Sequence, residues 1–122
     1  MISELKELLK SSYSPYSDKL YSSIVVMKDG FKFKGVTVKN ATYRDGIYAE
    51  QIAVASAVTA GYKYGDFDTI YIMVNSNDIR DLKYLNERVI TEFFEPEKSV
   101  ILYTLDGDNR VLKVGNLYSN IF

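Results

Sequence analysis

The sequence has no cysteine, no histidine and no tryptophan, and only two prolines. Without cysteine it forms no disulfide. The zinc sites built from thiolates and imidazoles have no ligands to draw on. Ser–His–Asp and Cys–His nucleophilic machinery is excluded on the same ground. No side chain has an unperturbed pKa near neutrality, so proton transfer would fall to a perturbed carboxylate, lysine or tyrosine. A bound metal would need oxygen ligands, which favours magnesium or calcium over zinc. An excess of one charge is also missing. Fifteen Lys and Arg stand against sixteen Asp and Glu, for a net charge of -1, whereas nucleic-acid binders usually carry a basic surplus. Long apolar runs are absent too, so no membrane span is expected. The opening Met1-Ile2-Ser3-Glu4-Leu5-Lys6 lacks the apolar core of a signal peptide. A cytoplasmic location is the natural expectation, although a chain without cysteine suits any redox compartment.

What remains is the composition of an ordinary folded domain, 47% hydrophobic and 25% charged. A length of 122 residues favours one domain, 1–122, around one core. Eleven tyrosines and six phenylalanines supply the volume that tryptophan does not.

Ile2, Leu5, Leu8 and Leu9 recur at helical spacing and predict a short amphipathic helix over 3–12. Residues 11–17, with Pro15, break it. The β-branched run 22–28 predicts a strand. Asp29-Gly30 makes a hairpin turn, and 31–38 alternates apolar and polar residues as the partner strand. The alanine-rich stretch 47–62, with Gly61 near its end, predicts a helix packed closely on a sheet. Residues 69–74 are almost wholly apolar, as in a central strand buried on both faces. Leu82, Leu85, Val89, Ile90 and Phe93 mark a further helix ended by Pro96. Strands at 99–104 and 110–114 flank a turn at 106–109, and the tail from Asn116 suits one helical turn. The order α-β-β-α-β-α-β-β predicts one mixed sheet with helices on both faces.

Pro15-Tyr16-Ser17 precedes the hairpin. Gly35, Asn40-Ala41, Tyr43 and Ala49-Glu50 follow it in register. Further on come Glu87 to Phe93, Val100-Ile101-Leu102, Leu105-Asp106-Gly107 and a terminal Phe122. Together these residues resemble the cytidine deaminase family, small and usually tetrameric zinc hydrolases that convert cytidine or deoxycytidine to uridine or deoxyuridine. The likeness covers essentially the whole chain. It implies a three-layer α/β/α sandwich around a five-stranded mixed sheet. It also implies a homo-oligomer, a tetramer by the family's habit, in which Tyr16 and Phe122 sit near a neighbouring subunit's pocket or pack an interface.

Carried over residue by residue, the resemblance gives an incomplete site. The family activates a zinc-bound water to attack ring C4, and a glutamate moves the protons. Glu50 stands at that glutamate's position. The ligand positions hold Tyr48, Lys83 and Asn86, so the expected zinc has no Cys or His ligand and no cofactor is expected. Thr37 and Lys39 stand where the family places its ribose-binding Asn and Glu, and Lys39 reverses that charge. Lys19 replaces an aromatic residue that follows the Pro-Tyr-Ser motif, and Tyr21-Ser22-Ser23-Ile24 replaces a run of small residues. Asn40, Ala49 and Phe122 complete the family's pocket positions.

Each sharp reading has a plainer one beside it. Glu50 at a helix N-terminus is favourable there through the dipole alone. A glutamate left beside a lost metal would be a poorly compensated buried charge, which predicts that Lys83 places its ammonium against Glu50 in the metal's stead. Asn40 and Tyr43 suit a loop anchor. Asp66, Asp68 and Asp78 form a conceivable oxygen-ligand set. Lys32 and Lys34 alternate with Phe31 and Phe33 in the manner of a nucleic-acid face, without the charge surplus to support it. Three functional readings follow. The first is a catalytically degenerate relative acting in interaction or assembly. The second is a module binding a nucleoside or other small ligand in the remodelled pocket. The third is an aminohydrolase with an unconventional site. A cleft filled by side chains favours the first, and an open cleft favours the second.

Overall fold

The computed structural model describes residues 1–14, 19–39 and 47–117. A five-stranded sheet runs through it in the order β2-β1-β3-β4-β5. These strands are β1 (Tyr21–Met27), β2 (Lys32–Val36), β3 (Phe67–Val74), β4 (Ser99–Tyr103) and β5 (Asn109–Lys113). The β1–β2 hairpin turns at Asp29-Gly30, where Gly30 takes φ +93° and Asp29 Oδ1 accepts from the Phe31 N–H at 3.1 Å. Val25 lies opposite Phe33 on one side and Ile70 on the other, both pairings antiparallel. β3 and β4 run parallel, with Ile70 opposite Val100, and β5 closes the sheet antiparallel to β4.

Alternation along β1 sends neighbouring side chains to opposite faces and so creates two cores. Ile24 joins Leu5, Leu9 and Met73 beneath helix α1 (Ile2–Leu9). Val25 and Met27 join Ala53, Val54, Ala57, Ile70, Ile72 and Ile90 beneath α2 (Ala49–Thr59) and α3 (Glu87–Phe93). Helices therefore cover both faces, as the pattern of elements predicts. β3 is the central strand, and its last three residues are all buried.

The alanines of α2 do what their size permits. The helix lies so close to β2 that a Cβ on Gly35 would run into the Ala49 carbonyl and stand 2.6 Å from Ala53 N. That contact fixes where α2 begins, and with it Glu50.

One predicted element divides in two. The apolar spacing from Leu82 to Phe93 reads as one helix, but the chain forms a 3-10 helix at Ile79–Lys83 and then starts α3 at Glu87. Asn86 is the physical reason. Its side chain accepts from the Val89 N–H at 3.3 Å and caps α3, while its backbone N–H turns away to Glu50. Leu82 and Leu85 are buried without belonging to α3. The tail makes a 3-10 turn at Val114–Asn116. Pro15, Tyr16, Ser17, Asn40, Tyr43 and Phe122 lie outside the described residues.

Candidate functional site

A cavity of about 480 Å³ opens where β1 begins, β2 ends and α2 starts. Tyr21 comes from β1, Thr37 and Lys39 from the segment after β2, and Ala49 and Glu50 from the first turn of α2. Asp81 and Tyr84 close it from the segment after β3. Lys19 and Tyr48 stand at its rim, so the cavity gathers residues from across the sequence.

The backbone under these residues is held firmly. Val38 and Ile47 exchange N–H···O bonds of 3.2 and 2.7 Å. Tyr13 accepts from the Lys39 N–H at 2.8 Å and donates to the Thr37 carbonyl at 2.9 Å. Lys39 thus leaves a braced segment.

Glu50 is 2% exposed. Its Oε2 accepts from the Asn86 backbone N–H at 2.6 Å. Burial raises its pKa above the ordinary glutamate range, while the backbone N–H groups of Asn86 and of Glu50 itself act in the opposite direction. The Lys83 ammonium is not its partner. Lys83 is exposed, and its Nζ lies over the Tyr84 ring, 5.3 Å from the centroid. The expected Lys83–Glu50 ion pair is therefore corrected. The compensation comes from peptide dipoles and a raised pKa instead of a replacement cation.

Thr37 is also not a free ligand group. Its hydroxyl accepts from the Tyr21 N–H at 2.8 Å and donates to the Tyr21 carbonyl at 3.3 Å, all at 1% exposure. Lys39 does reach the cavity, as the sequence suggests, and Ala49 supplies part of its wall.

Asp81 and Tyr84 escape sequence reasoning, and Tyr21 is found there only as a departure from a run of small residues. Tyr21 donates its hydroxyl to the Asp81 carbonyl at 2.8 Å, and burial, followed by the Asp81 charge, pushes its phenol pKa up, so it stays a neutral donor. Asp81 accepts from Ser76 at 2.6 Å and from Lys19 at 2.9 Å, and these bonds hold its pKa down. Tyr84 is 56% exposed at the cavity edge. The polar stretch 76–81 and the tyrosine after it give no periodic signal that would mark them. Only the fold brings them to Glu50.

The other candidates disperse. Asp66 accepts from the Lys63 N–H, Asp68 pairs with Lys98, and Asp78 pairs with Arg80. Among the described residues no three of His, Cys, Asp and Glu come together as a metal group. Phe33 packs edge-on against Tyr62, and Lys32 reaches Glu4, so two of the four residues of the basic-aromatic pattern are already engaged.

The fold agrees with comparisons to known proteins. No family model matches the chain. A crystal structure of cytidine deaminase from Burkholderia pseudomallei superposes with a TM-score of 0.84 at 30% identity, covering 99% of this chain and 95% of that one. The chain belongs to the cytidine deaminase family. Cytidine deaminase from Halalkalibacterium halodurans is 27% identical over 124 residues, spanning 100% of this chain and 91% of the relative. Cytidine deaminase from Mycoplasma genitalium is 21% identical over 122 residues, spanning 100% and 92%. The structure from Mycobacterium leprae, at 21% identity and a TM-score of 0.73, shares the fold.

Family membership raises the question of zinc. At the positions the resemblance gives to its ligands, Tyr48 is 48% exposed at the start of α2, Lys83 points to Tyr84, and Asn86 spends its side-chain oxygen on capping α3. No thiolate or imidazole stands among them. The donor set does not fit a tetrahedral zinc held by sulfur and nitrogen. Among the described residues, no helix is long and apolar enough to cross a membrane.

Proposed function

We propose that this cytidine deaminase family member does not carry out zinc-dependent deamination and binds a small ligand in the cavity beside Glu50. The observation that carries the reading is the open cavity itself. Its volume of about 480 Å³ falls within the range of small-molecule sites. An interaction protein whose site had decayed would be expected to fill that space with side chains. The ligand reading therefore takes precedence over the assembly reading that leads on sequence alone.

The chemistry of the donors supports the loss of deamination. Attack on ring C4 requires a hydroxide, which family members obtain by lowering the pKa of a metal-bound water. Without zinc ligands Glu50, at the position the resemblance gives to the proton carrier, has no metal-bound water to act on. A homo-oligomer, a tetramer by the family's habit, fits this picture. Phe33 and Ile52 are only partly buried beside the exposed Ile47, around the start of α2. The cytoplasm is the proposed location.

A thermal-shift screen of nucleosides and nucleotides, run beside an ultraviolet assay for loss of the cytosine band, tests the function. A ligand at a hundred times its Kd adds about 2.7 kcal/mol of stability. The expected result is a shift with at least one compound and no change in the absorbance of cytidine. Glu50-dependent loss of the band would overturn the reading.

A further inference from the structure

Three tyrosines line the cavity, and they do not lie at the same depth. Tyr48 and Tyr84 are exposed at the rim. Tyr21 is 8% exposed, and with Thr37, Ala49 and Glu50 it makes up the buried end of the lining. The other three residues there bring small or engaged groups. Thr37 spends its hydroxyl on the Tyr21 backbone, Ala49 carries a single methyl, and one Glu50 oxygen is taken by the Asn86 N–H at 2.6 Å. The Tyr21 ring is the largest side chain at that end.

Both ends of this residue are tied down. Its backbone N–H donates to Thr37 Oγ1 at 2.8 Å, and its carbonyl accepts from the Thr37 N–H at 3.0 Å. Its phenol hydroxyl donates to the Asp81 carbonyl at 2.8 Å. Asp81 is held in turn by Lys19 at 2.9 Å and by Ser76 at 2.6 Å. The ring cannot swing aside for a ligand without giving up the Asp81 bond. A wall that does not yield discriminates by size, because a ligand too large for it must strain the packing around it. In sequence Tyr21 departs from a run of small residues, so this wall is a feature of this chain.

We infer that Tyr21 is the specificity-determining residue of the cavity: its ring is the fixed inner wall that limits how large a ligand reaches the buried end, and its hydroxyl holds the Asp81 side at that width. This rests on the ligand-binding reading above and names the residue that sets its selectivity.

Isothermal titration of the full chain with cytidine and adenosine, a one-ring and a two-ring probe, tests the inference in the wild type, Tyr21→Val and Tyr21→Phe. The quantity read is the ratio of the two affinities. Tyr21→Val should shift that ratio roughly ten-fold or more toward adenosine. Tyr21→Phe keeps the ring, so the ratio should stay level while both probes bind more weakly by a similar factor, the Asp81 side no longer being tied. Tyr21→Leu repeats the measurement if Tyr21→Val does not melt cooperatively, and a shift of the same sign is expected. A merely structural role would weaken both probes together in Tyr21→Val and leave the ratio unchanged. That result would overturn the inference and leave the ligand reading standing. An equal shift in Tyr21→Phe and Tyr21→Val would overturn the part given to the ring. Binding of neither probe by any of these proteins would overturn both this inference and the reading beneath it.

Discussion

The backbone N–H of Asn86 donates to the buried carboxyl of Glu50 across 2.6 Å. This one bond joins the start of α2 to the start of α3, and it meets a family-position glutamate with a peptide dipole. Asn86 also caps α3 with its side chain, so the residue serves both helices. The same bond shows why the expected Lys83 contact is dispensable. A carboxyl with a raised pKa and peptide donors has less charge to neutralise.

Glu50→Gln should keep the Asn86 bond, since an amide oxygen accepts as well as a carboxylate oxygen. Burial raises the Glu50 pKa in the folded protein above its unfolded value of 4.5. The folded state therefore holds the proton more tightly. The stability this contributes is fully present below the unfolded value and is lost as pH rises through the folded one. Urea unfolding across a pH series should show wild-type stability falling in that window, by at most about 1.4 kcal/mol per pH unit for one proton. Glu50→Gln should flatten this slope and should be the more stable protein at neutral pH.

Lys83→Ala should change stability by no more than about 0.5 kcal/mol, the usual range for an exposed side chain. The residue gives up only a solvent-facing contact with the Tyr84 ring. Denaturant midpoints decide the matter. A loss of about 3 kcal/mol would mean that Lys83 pairs with a buried charge after all.

Gly35→Ala should destabilise by about 3 kcal/mol, because the new methyl meets the backbone of α2 instead of a movable side chain. Displacing α2 also moves Glu50 and the cavity wall. Thermal melting should record the loss of stability, and titration should record a loss of ligand binding with it.

Asp81→Asn removes a negative charge from the cavity wall, where the acid holds Lys19 and Ser76. Losing the part-exposed ion pair to Lys19 should cost about 1 kcal/mol or less, and binding of a neutral nucleoside should stay level. Denaturant midpoints and calorimetric titration with cytidine check the two halves.

Much of the fold was legible because its elements carry their own periodicity. The alternation of β1 and β2 around Asp29-Gly30, the apolar run of β3 and the alanines of α2 each follow from local chemistry. The split between the 3-10 helix and α3 was not legible, since Leu82 and Leu85 sit at helical spacing while Asn86 redirects the chain to a partner 36 residues away. The site divides in the same way. Glu50 and Lys39 could be found by register with the family motif. Tyr21 could be found the same way, but Asp81 and Tyr84 could not, because their part depends on which strand ends the fold brings together. Thr37 does line the cavity, but its engagement was not legible. A hydroxyl that looks available in sequence is taken up by the Tyr21 backbone in the fold.

The central claim is that a cytidine deaminase family member keeps its pocket without the family's metal chemistry. Elemental analysis of the full chain, purified without chelators from zinc-supplemented cells, tests it most directly. The account predicts zinc far below one ion per chain, unchanged in Glu50→Gln. A tightly held zinc on the order of one per chain, the content of an intact catalytic site, would contradict it.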